Sequence, residues 1–203
     1  DPVFDYSVSP ALVGVDTFTG TLSRVAGENV GAYAIATGTL SAGTNYAMTF
    51  NSNNFTIVKA TPVITWAAPA DIIYGTLLSP TQLNASPSVA GAFVYTPASS
   101  TLLNAGNGQV LSTAFTPTDS GNYNGVTATT SINVAKATPI ITWATPSAIA
   151  AGTALSGTQL NASPSTPGAF VYTPASGYTG FTTVGTVTLS TDFTPTDTAN
   201  YNS

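Results

Sequence analysis

The chain contains no histidine and no cysteine, and both absences restrict the chemistry it can perform. Histidine is the most common general base near neutral pH and the most common metal ligand in proteins. The lack of cysteine excludes thiol catalysis, disulfide bonds and the usual zinc sites. A nucleophilic serine would need a lysine as its base, and Lys59 and Lys136 lie where we expect linkers. We therefore expect that the protein is not an enzyme and has no resident cofactor.

Charged side chains are also scarce. They make up 5% of the 203 residues, against about 25% in an average soluble domain. The formal net charge is -5, with only three basic residues. Nucleic-acid binding needs clustered basic side chains that neutralise phosphates, so we expect neither nucleic acid nor an anionic membrane surface as a partner. No apolar run reaches about 18 residues, and we expect no direct membrane insertion.

The remaining composition suits β-structure. Hydrophobic residues make up 43% of the chain, and the frequent Val, Ile, Thr, Tyr and Phe favour half-buried strands. The 18 Gly and 14 Pro favour turns between them. No window combines helical periodicity with helix caps. Alternating patterns predict strands at 54–58, 63–66, 92–96, 110–115 and 127–134, and we expect a further short strand at 79–83.

The strongest pattern in the sequence is an internal repeat. Positions 59–66 and 136–143 both read Lys-Ala-Thr-Pro, one aliphatic residue, then Ile-Thr-Trp. Phe-Thr-Pro-Thr-Asp at 115–119 returns at 193–197, one position later than the first motif predicts, so one residue is inserted between these motifs. Such self-similarity indicates tandem homologous domains. We predict repeat 1 at 59–135 and repeat 2 at 136–203.

Residues 1–58 lack this pattern and are predicted to form a separate, smaller β-domain, truncated at its start. Ser203 aligns with Gly125 of repeat 1. We therefore expect repeat 2 to lack the counterpart of 126–134, its last strand. A neighbouring copy could supply that strand.

A turn motif ends both repeats. Asp119 to Tyr123 and Asp197 to Tyr201 share the form Asp-x-small-x-Tyr. This spacing is that of the tyrosine corner of immunoglobulin-like domains, in which the Tyr hydroxyl bonds upstream backbone and fixes a turn. We predict structural roles for both tyrosines. With several short strands in each repeat, the motif favours tandem immunoglobulin-like β-sandwich domains in an elongated array.

Two further groups of side chains have more than one interpretation. Trp66 and Trp143 recur near a proline, which favours packing at a domain junction over stacking on a ligand. Asp71, Asp119 and Asp197 lie in loops and are weak candidate ligands for Ca²⁺, which takes oxygen ligands. The alternative for Asp119 and Asp197 is bonding to their own turn backbone. An isopeptide between a lysine of the repeats and an asparagine is a lesser alternative.

Two family resemblances rest on these motifs. Residues 59–203 resemble immunoglobulin-like repeat domains of large bacterial surface proteins, since each unit opens on Lys-Ala-Thr-Pro and has Phe-Thr-Pro-Thr-Asp-x-x-Asn-Tyr-Asn near its end. Residues 1–58 resemble the MBG domain through Gly-Thr-Leu-Ser-Arg at 20–24 and Gly-Glu-Asn-Val-Gly-Ala-Tyr at 27–33. For that domain a β-grasp-like arrangement is one option. The resemblances imply secreted, extracellular adhesin repeats at a bacterial cell surface, without catalytic residues.

We expect the chain to be a structural stalk that holds a distal binding region away from the cell, with neighbouring domains of the same chain as its partners. Two alternatives stay open. Residues 1–58 could bind a host or matrix glycan or protein directly, using Arg24 and Glu28. The chain could also be a fibre subunit that self-associates through exposed strand edges.

Overall fold

The structure, a computed structural model that describes residues 1–203, contains strands and turns and no helix. This confirms the all-β fold class. The chain forms no helix of the length and apolarity that crossing a membrane requires. Its 13 strands are β1 (Ser23–Arg24), β2 (Gly31–Ala36), β3 (Asn54–Ile57), β4 (Ile64–Thr65), β5 (Ile72–Ile73), β6 (Ser86–Pro87), β7 (Gly91–Thr96), β8 (Gly106–Pro117), β9 (Val126–Ala135), β10 (Ile141–Thr142), β11 (Ser163–Pro164), β12 (Gly168–Thr173) and β13 (Ser190–Pro195).

Five of the predicted strands correspond to β3, β4, β7, β8 and β9, but the strand predicted at 79–83 is wrong. The N–H groups of Gln82 and Leu83 both donate to the carbonyl of Ser79 over 3.0 Å, which closes a turn. The Gln82 side chain fixes this turn, because its Oε1 accepts from the Ser79 N–H at 3.0 Å and from the Ser79 hydroxyl at 2.9 Å. Side chains that bond nearby backbone compete with strand pairing.

The chain divides into two compact units. Unit 1 comprises Asp1–Ile64, Pro87–Phe93 and Ala114–Val126, and unit 2 comprises Thr65–Ser86, Val94–Thr113 and Thr127–Ser203. The predicted domain boundaries after residues 58 and 135 therefore fall inside unit 1 and unit 2, respectively. Those boundaries stay predictions.

Unit 1 contains an antiparallel three-stranded sheet in the order β1-β2-β3. Alternation along β2 points every second residue inward, which places Tyr33 opposite Phe55 of β3. Leu40 and Ala42 are buried in the same unit. Glycine is required at Gly91, because a Cβ there would overlap the ring of Phe115.

Unit 2 contains a larger apolar core. Strands β5, β9, β8 and β7 are hydrogen-bonded in that order, and β5 runs parallel to β9, with Ile72 opposite Val134. Leu111 of β8 and Ile132 of β9 are almost completely buried. The core consists of Ile72, Leu78, Leu83, Leu103, Leu111, Ile132 and Val134.

We expect Leu111→Ala to lower the free energy of unfolding by about 2–5 kcal/mol, because it removes buried methyl groups and leaves a cavity. Val110→Ala is the matched control, since Val110 is the next residue along β8 and is 65% exposed. Its cost should be at most about 0.5 kcal/mol, as is usual at surface positions. Chemical denaturation measures both, and equal losses would contradict the assigned core.

Candidate junction sites of the repeats

The start of repeat 1 is bound to the turn that follows β8. Ala60 donates its N–H to the carbonyl of Asn122 over 3.0 Å and accepts from the N–H of Asn124 over 2.8 Å. The Lys59 ammonium group donates to the carbonyl of Ser120 over 2.6 Å. The linker is therefore held along its backbone and by its lysine.

The start of repeat 2 makes the same contacts. Ala137 donates to the carbonyl of Asn200 over 3.0 Å and accepts from the N–H of Asn202 over 2.9 Å. Lys136 Nζ donates to the carbonyl of Thr198 over 2.6 Å. The lysines predicted to lie in linkers are thus bound to carbonyls of their own repeat.

The threonine of the Lys-Ala-Thr motif has a side-chain partner in each repeat. Asn124 Nδ2 donates to Thr61 Oγ1 over 3.2 Å, and Asn202 Nδ2 donates to Thr138 Oγ1 over 3.1 Å. Each residue of Lys-Ala-Thr therefore bonds the turn that contains Asp-x-x-Asn-Tyr-Asn. The two most characteristic motifs of the repeat, which lie at its opposite ends in sequence, form one structure.

The side chain of Asn122 bonds a loop that precedes repeat 1. Its Nδ2 donates to Asn29 Oδ1 over 2.9 Å, and its Oδ1 accepts from the N–H of Val30 over 2.7 Å. The same Nδ2 donates to Asp119 Oδ2 over 2.8 Å. Asn122 therefore joins its own turn to the N-terminal segment.

Asn200 repeats this arrangement with repeat 1 as its upstream neighbour. Its Oδ1 accepts from the N–H of Ala105 over 2.7 Å, and its Nδ2 lies 3.5 Å from Asn104 Oδ1. Asp197 Oδ2 accepts from the same Nδ2 over 2.8 Å. Asn200 is buried, 7% exposed. In both junctions one asparagine contacts another asparagine and the apolar residue that follows it, Asn29-Val30 in the first junction and Asn104-Ala105 in the second. The segments that contain these two pairs differ in sequence.

The predicted tyrosines lie in these same turns. Each donates its backbone N–H to the turn aspartate's carbonyl over 3.1 Å, Tyr123 to Asp119 and Tyr201 to Asp197. The ring of Tyr201 also packs edge-on against Tyr74 of repeat 1, with ring centroids 5.4 Å apart. A structural role through the tyrosine hydroxyl stays a prediction.

The three candidate calcium ligands are hydrogen-bonded to asparagines. Asn122 donates to both carboxylate oxygens of Asp119, and Asn200 does the same for Asp197. Asp71 Oδ1 accepts from Asn133 Nδ2 over 3.0 Å. The structure contains no group of three acidic side chains that could hold a metal ion. The arrangement favours turn stabilisation by Asp119 and Asp197, whereas Asp71 bonds a side chain of β9.

Hydrogen bonding also changes the acidity of Asp119. The Asn122 side chain, followed by its backbone N–H, holds the pKa of Asp119 below the usual value, and desolvation opposes this only in part. The hydrogen bonds favour the ionised carboxylate because they donate to its charged oxygens.

Arg24, the basic residue considered for ligand binding, is buried in the N-terminal segment, with its side chain 3% exposed. Its Nη2 lies 2.7 Å from Asp1 and 2.9 Å from Glu28. Its Nη1 donates to the carbonyls of Val25 and Gly27. The guanidinium group therefore bonds other residues of its own segment.

Two aromatic rings contact the same guanidinium group. Its carbon lies 5.0 Å from the ring centre of Tyr33 and 5.5 Å from that of Phe55, within the range of cation–π attraction. A Cβ at Gly27 would overlap the Tyr33 ring, so the glycine lets the loop approach. The Gly-Glu-Asn-Val-Gly-Ala-Tyr motif thus builds the loop and ring beside Arg24.

Residues 1–56 match the family described as MBG domain (YGX type). They are an MBG-type domain. The match confirms the resemblance of the N-terminal segment and covers β1, β2 and most of β3. MBG domains are typical of bacterial surface proteins. The immunoglobulin-like interpretation of 59–203 stays a prediction, and no curated protein and no solved structure matches the chain.

The tryptophans that follow the MBG domain pack within their own repeats. Trp66 Nε1 donates to the carbonyl of Gln82 over 3.1 Å, and its ring centre lies 5.3 Å from that of Tyr95 in an edge-on arrangement. Trp143 makes the equivalent two contacts in repeat 2, at 2.9 and 5.3 Å. Each ring contributes to the interior of its repeat.

Sequence reasoning missed the asparagines that make the junctions. It selected Asp119 and Tyr123 from their motif but not Asn122 between them. The signal was present, because Asn122 and Asn200 hold the same place in both turns. Asn29 of the MBG domain, the upstream partner of Asn122, carries no comparable signal, because the sequence contains one copy of that domain and shows no recurrence.

We expect Asn122→Ala to raise the pKa of Asp119 toward its ordinary value, because the largest cause of the lowering is removed. Carboxyl-detected NMR titration measures this change. Asn124→Ala is the control, because Asn124 bonds Thr61 instead. An unchanged pKa in the Asn122→Ala variant would contradict the assigned hydrogen bond.

The same lowering predicts a pH effect on stability. Because the folded-state pKa lies below the unfolded one, ionised Asp119 stabilises the fold above the unfolded pKa of about 3.9. That contribution disappears as the pH falls through the folded pKa. Acid titration of Asp119→Asn should therefore show a smaller loss of stability below about pH 4 than the unmodified chain shows.

We expect Arg24→Lys to lower the free energy of unfolding of the MBG domain by roughly 2 kcal/mol or more, because lysine cannot reproduce the forked hydrogen bonds of a buried guanidinium group. Glu28→Gln is the control, since the Glu28 side chain is 88% exposed and a surface ion pair contributes at most about 1 kcal/mol. Thermal denaturation compares them. A stable Arg24→Lys variant would refute the structural role.

Proposed function

We propose that this chain is a spacer segment of an exported bacterial surface protein, located extracellularly at the cell surface. In this proposal the repeats hold a distal binding region away from the cell. The MBG domain at residues 1–56 supports a surface protein of this kind. The observation that carries the spacer function is the junction contact, made twice by equivalent residues.

The junctions support a spacer because they restrict rotation between successive segments. A flexible linker is rich in Gly and Ser and leaves its backbone free. Here the linker residues Ala60 and Ala137 are hydrogen-bonded on both sides, and Pro62 and Pro139 fix the backbone angle φ two positions later. A restrained linker limits the orientations that one segment can take relative to the next.

The charges of the chain favour a spacer over a binding module. Long-range attraction of a charged partner requires clustered charge of one sign. Charged residues make up only 5% of this chain, and Arg24, the basic residue of the MBG domain, is buried. Its guanidinium group is therefore not presented to a glycan or protein ligand.

Small-angle X-ray scattering tests the spacer proposal. A compact chain of this length would have a radius of gyration of about 17 Å. If the chain acts as a spacer, we expect a clearly larger value and a distance distribution extended in one direction, because a spacer has to bridge a distance. A radius near the compact value would refute the spacer function.

A double-mutant cycle tests the junction itself. We expect Asn29→Ala and Asn122→Ala to be coupled by at least about 0.5 kcal/mol in unfolding, because each variant removes the same hydrogen bond. Asn53→Ala combined with Asn122→Ala is the control pair, since Asn53 bonds its own neighbour Asn54. A coupling energy equal to that of the control pair would contradict the hydrogen bond between Asn29 and Asn122, on which the restrained junction depends.

A further inference from the structure

Repeat 2 contains an open groove of about 600 Å³. No charged side chain lines it. Its apolar wall includes Trp143, Ile149, Leu155, Phe181, Val184 and Leu189. All of these residues lie in unit 2, so the groove belongs to one compact body.

Repeat 1 shows how the equivalent space is filled. There β9 lies between β5 and β8 in the sheet. Its residues Ile132 and Val134 are 2% and 3% exposed and belong to the same core as Leu111 and Ile72. Leu189 and Ile149 of the groove are the repeat 2 counterparts of Leu111 and Ile72. The groove is therefore the place that a strand of the β9 type occupies in repeat 1.

The segments beside the groove are less regular than their counterparts in repeat 1. Strand β8 has 12 residues, whereas its counterpart β13 has six, because residues 184–189 form no strand. The counterpart of β5, at 149–150, forms no strand either. Leu111 is completely buried, but Leu189 is only half-buried. Strand pairing on both sides depends on the strand between them.

We propose that this groove binds an extended, uncharged β-strand that repeats the pattern of Val126–Ala135. The strand would lie beside β13 and run parallel to residues 149–150, as β9 runs parallel to β5. Two aliphatic side chains in the positions of Ile132 and Val134 enter the groove, and the alternating Thr and Ser side chains face solvent. Addition of a strand to an exposed sheet edge supplies backbone hydrogen bonds, and the two aliphatic side chains that enter the groove supply specificity.

The experiment uses a synthetic peptide with the sequence of Val126–Ala135 and the intact 203-residue chain. Binding is followed by the fluorescence of Trp143, which lines the groove, in the Trp66→Phe variant. The Trp143→Phe variant, which retains Trp66, is the control and should give no peptide-dependent change. Calorimetry with the unmodified chain measures the same affinity without a tryptophan substitution.

The control peptide carries Ile132→Asp and Val134→Asp, and we expect its affinity to be at least about tenfold lower because two carboxylates would enter an apolar groove. Leu189→Asp in the protein should cause a similar loss. Val171→Asp is the protein control, since Val171 lies on β12 outside the groove and is 64% exposed.

Three results would overturn the proposal. The first is saturating peptide with no signal in either measurement. The second is equal affinity for the two peptides, which would indicate an unspecific apolar surface. The third is a dimer in sedimentation before any peptide is added, which would assign the groove to a second copy of the chain. None of these results bears on the spacer function, which depends on the junctions.

Discussion

The hydrogen bonds of one carboxamide group organise each junction. Asn122 uses its amide to bond the carboxylate of its own turn and a loop of the upstream domain, and Asn200 does the same. Because an amide both donates and accepts, a single side chain can satisfy a backbone N–H, an asparagine oxygen and an aspartate. The lowered pKa of Asp119 follows from the hydrogen bonds that Asn122 donates to its carboxylate.

The three basic side chains all bond other groups of the same chain. Arg24 is enclosed by two acids, two carbonyls and two rings, and each lysine bonds a carbonyl of its own repeat. A buried guanidinium group is costly unless its hydrogen bonds are satisfied, and here they are. The MBG domain is thus organised around a cation, whereas the core of repeat 1 is built from aliphatic side chains.

Local patterns predicted the fold class and five of the 13 strands, because alternation and turn residues act over a few positions. The strand predicted at 79–83 was wrong, since the side chain of Gln82 bonds Ser79 and stabilises a turn there. The repeat itself was recognisable because two copies can be compared, and its boundaries stay predictions. Arg24's burial and the pairing of Asn122 with Asn29 were not readable, since both depend on residues that only the tertiary structure brings together.

The chemistry of the junction has a consequence for the medium in which it works. Attraction between exposed ions weakens as dissolved salt rises, because counter-ions screen it within about 10 Å at 0.1 M. The bonds between Asn122 and the MBG domain join neutral amides and a backbone N–H, which have no net charge to screen. These hydrogen bonds are therefore largely independent of ionic strength.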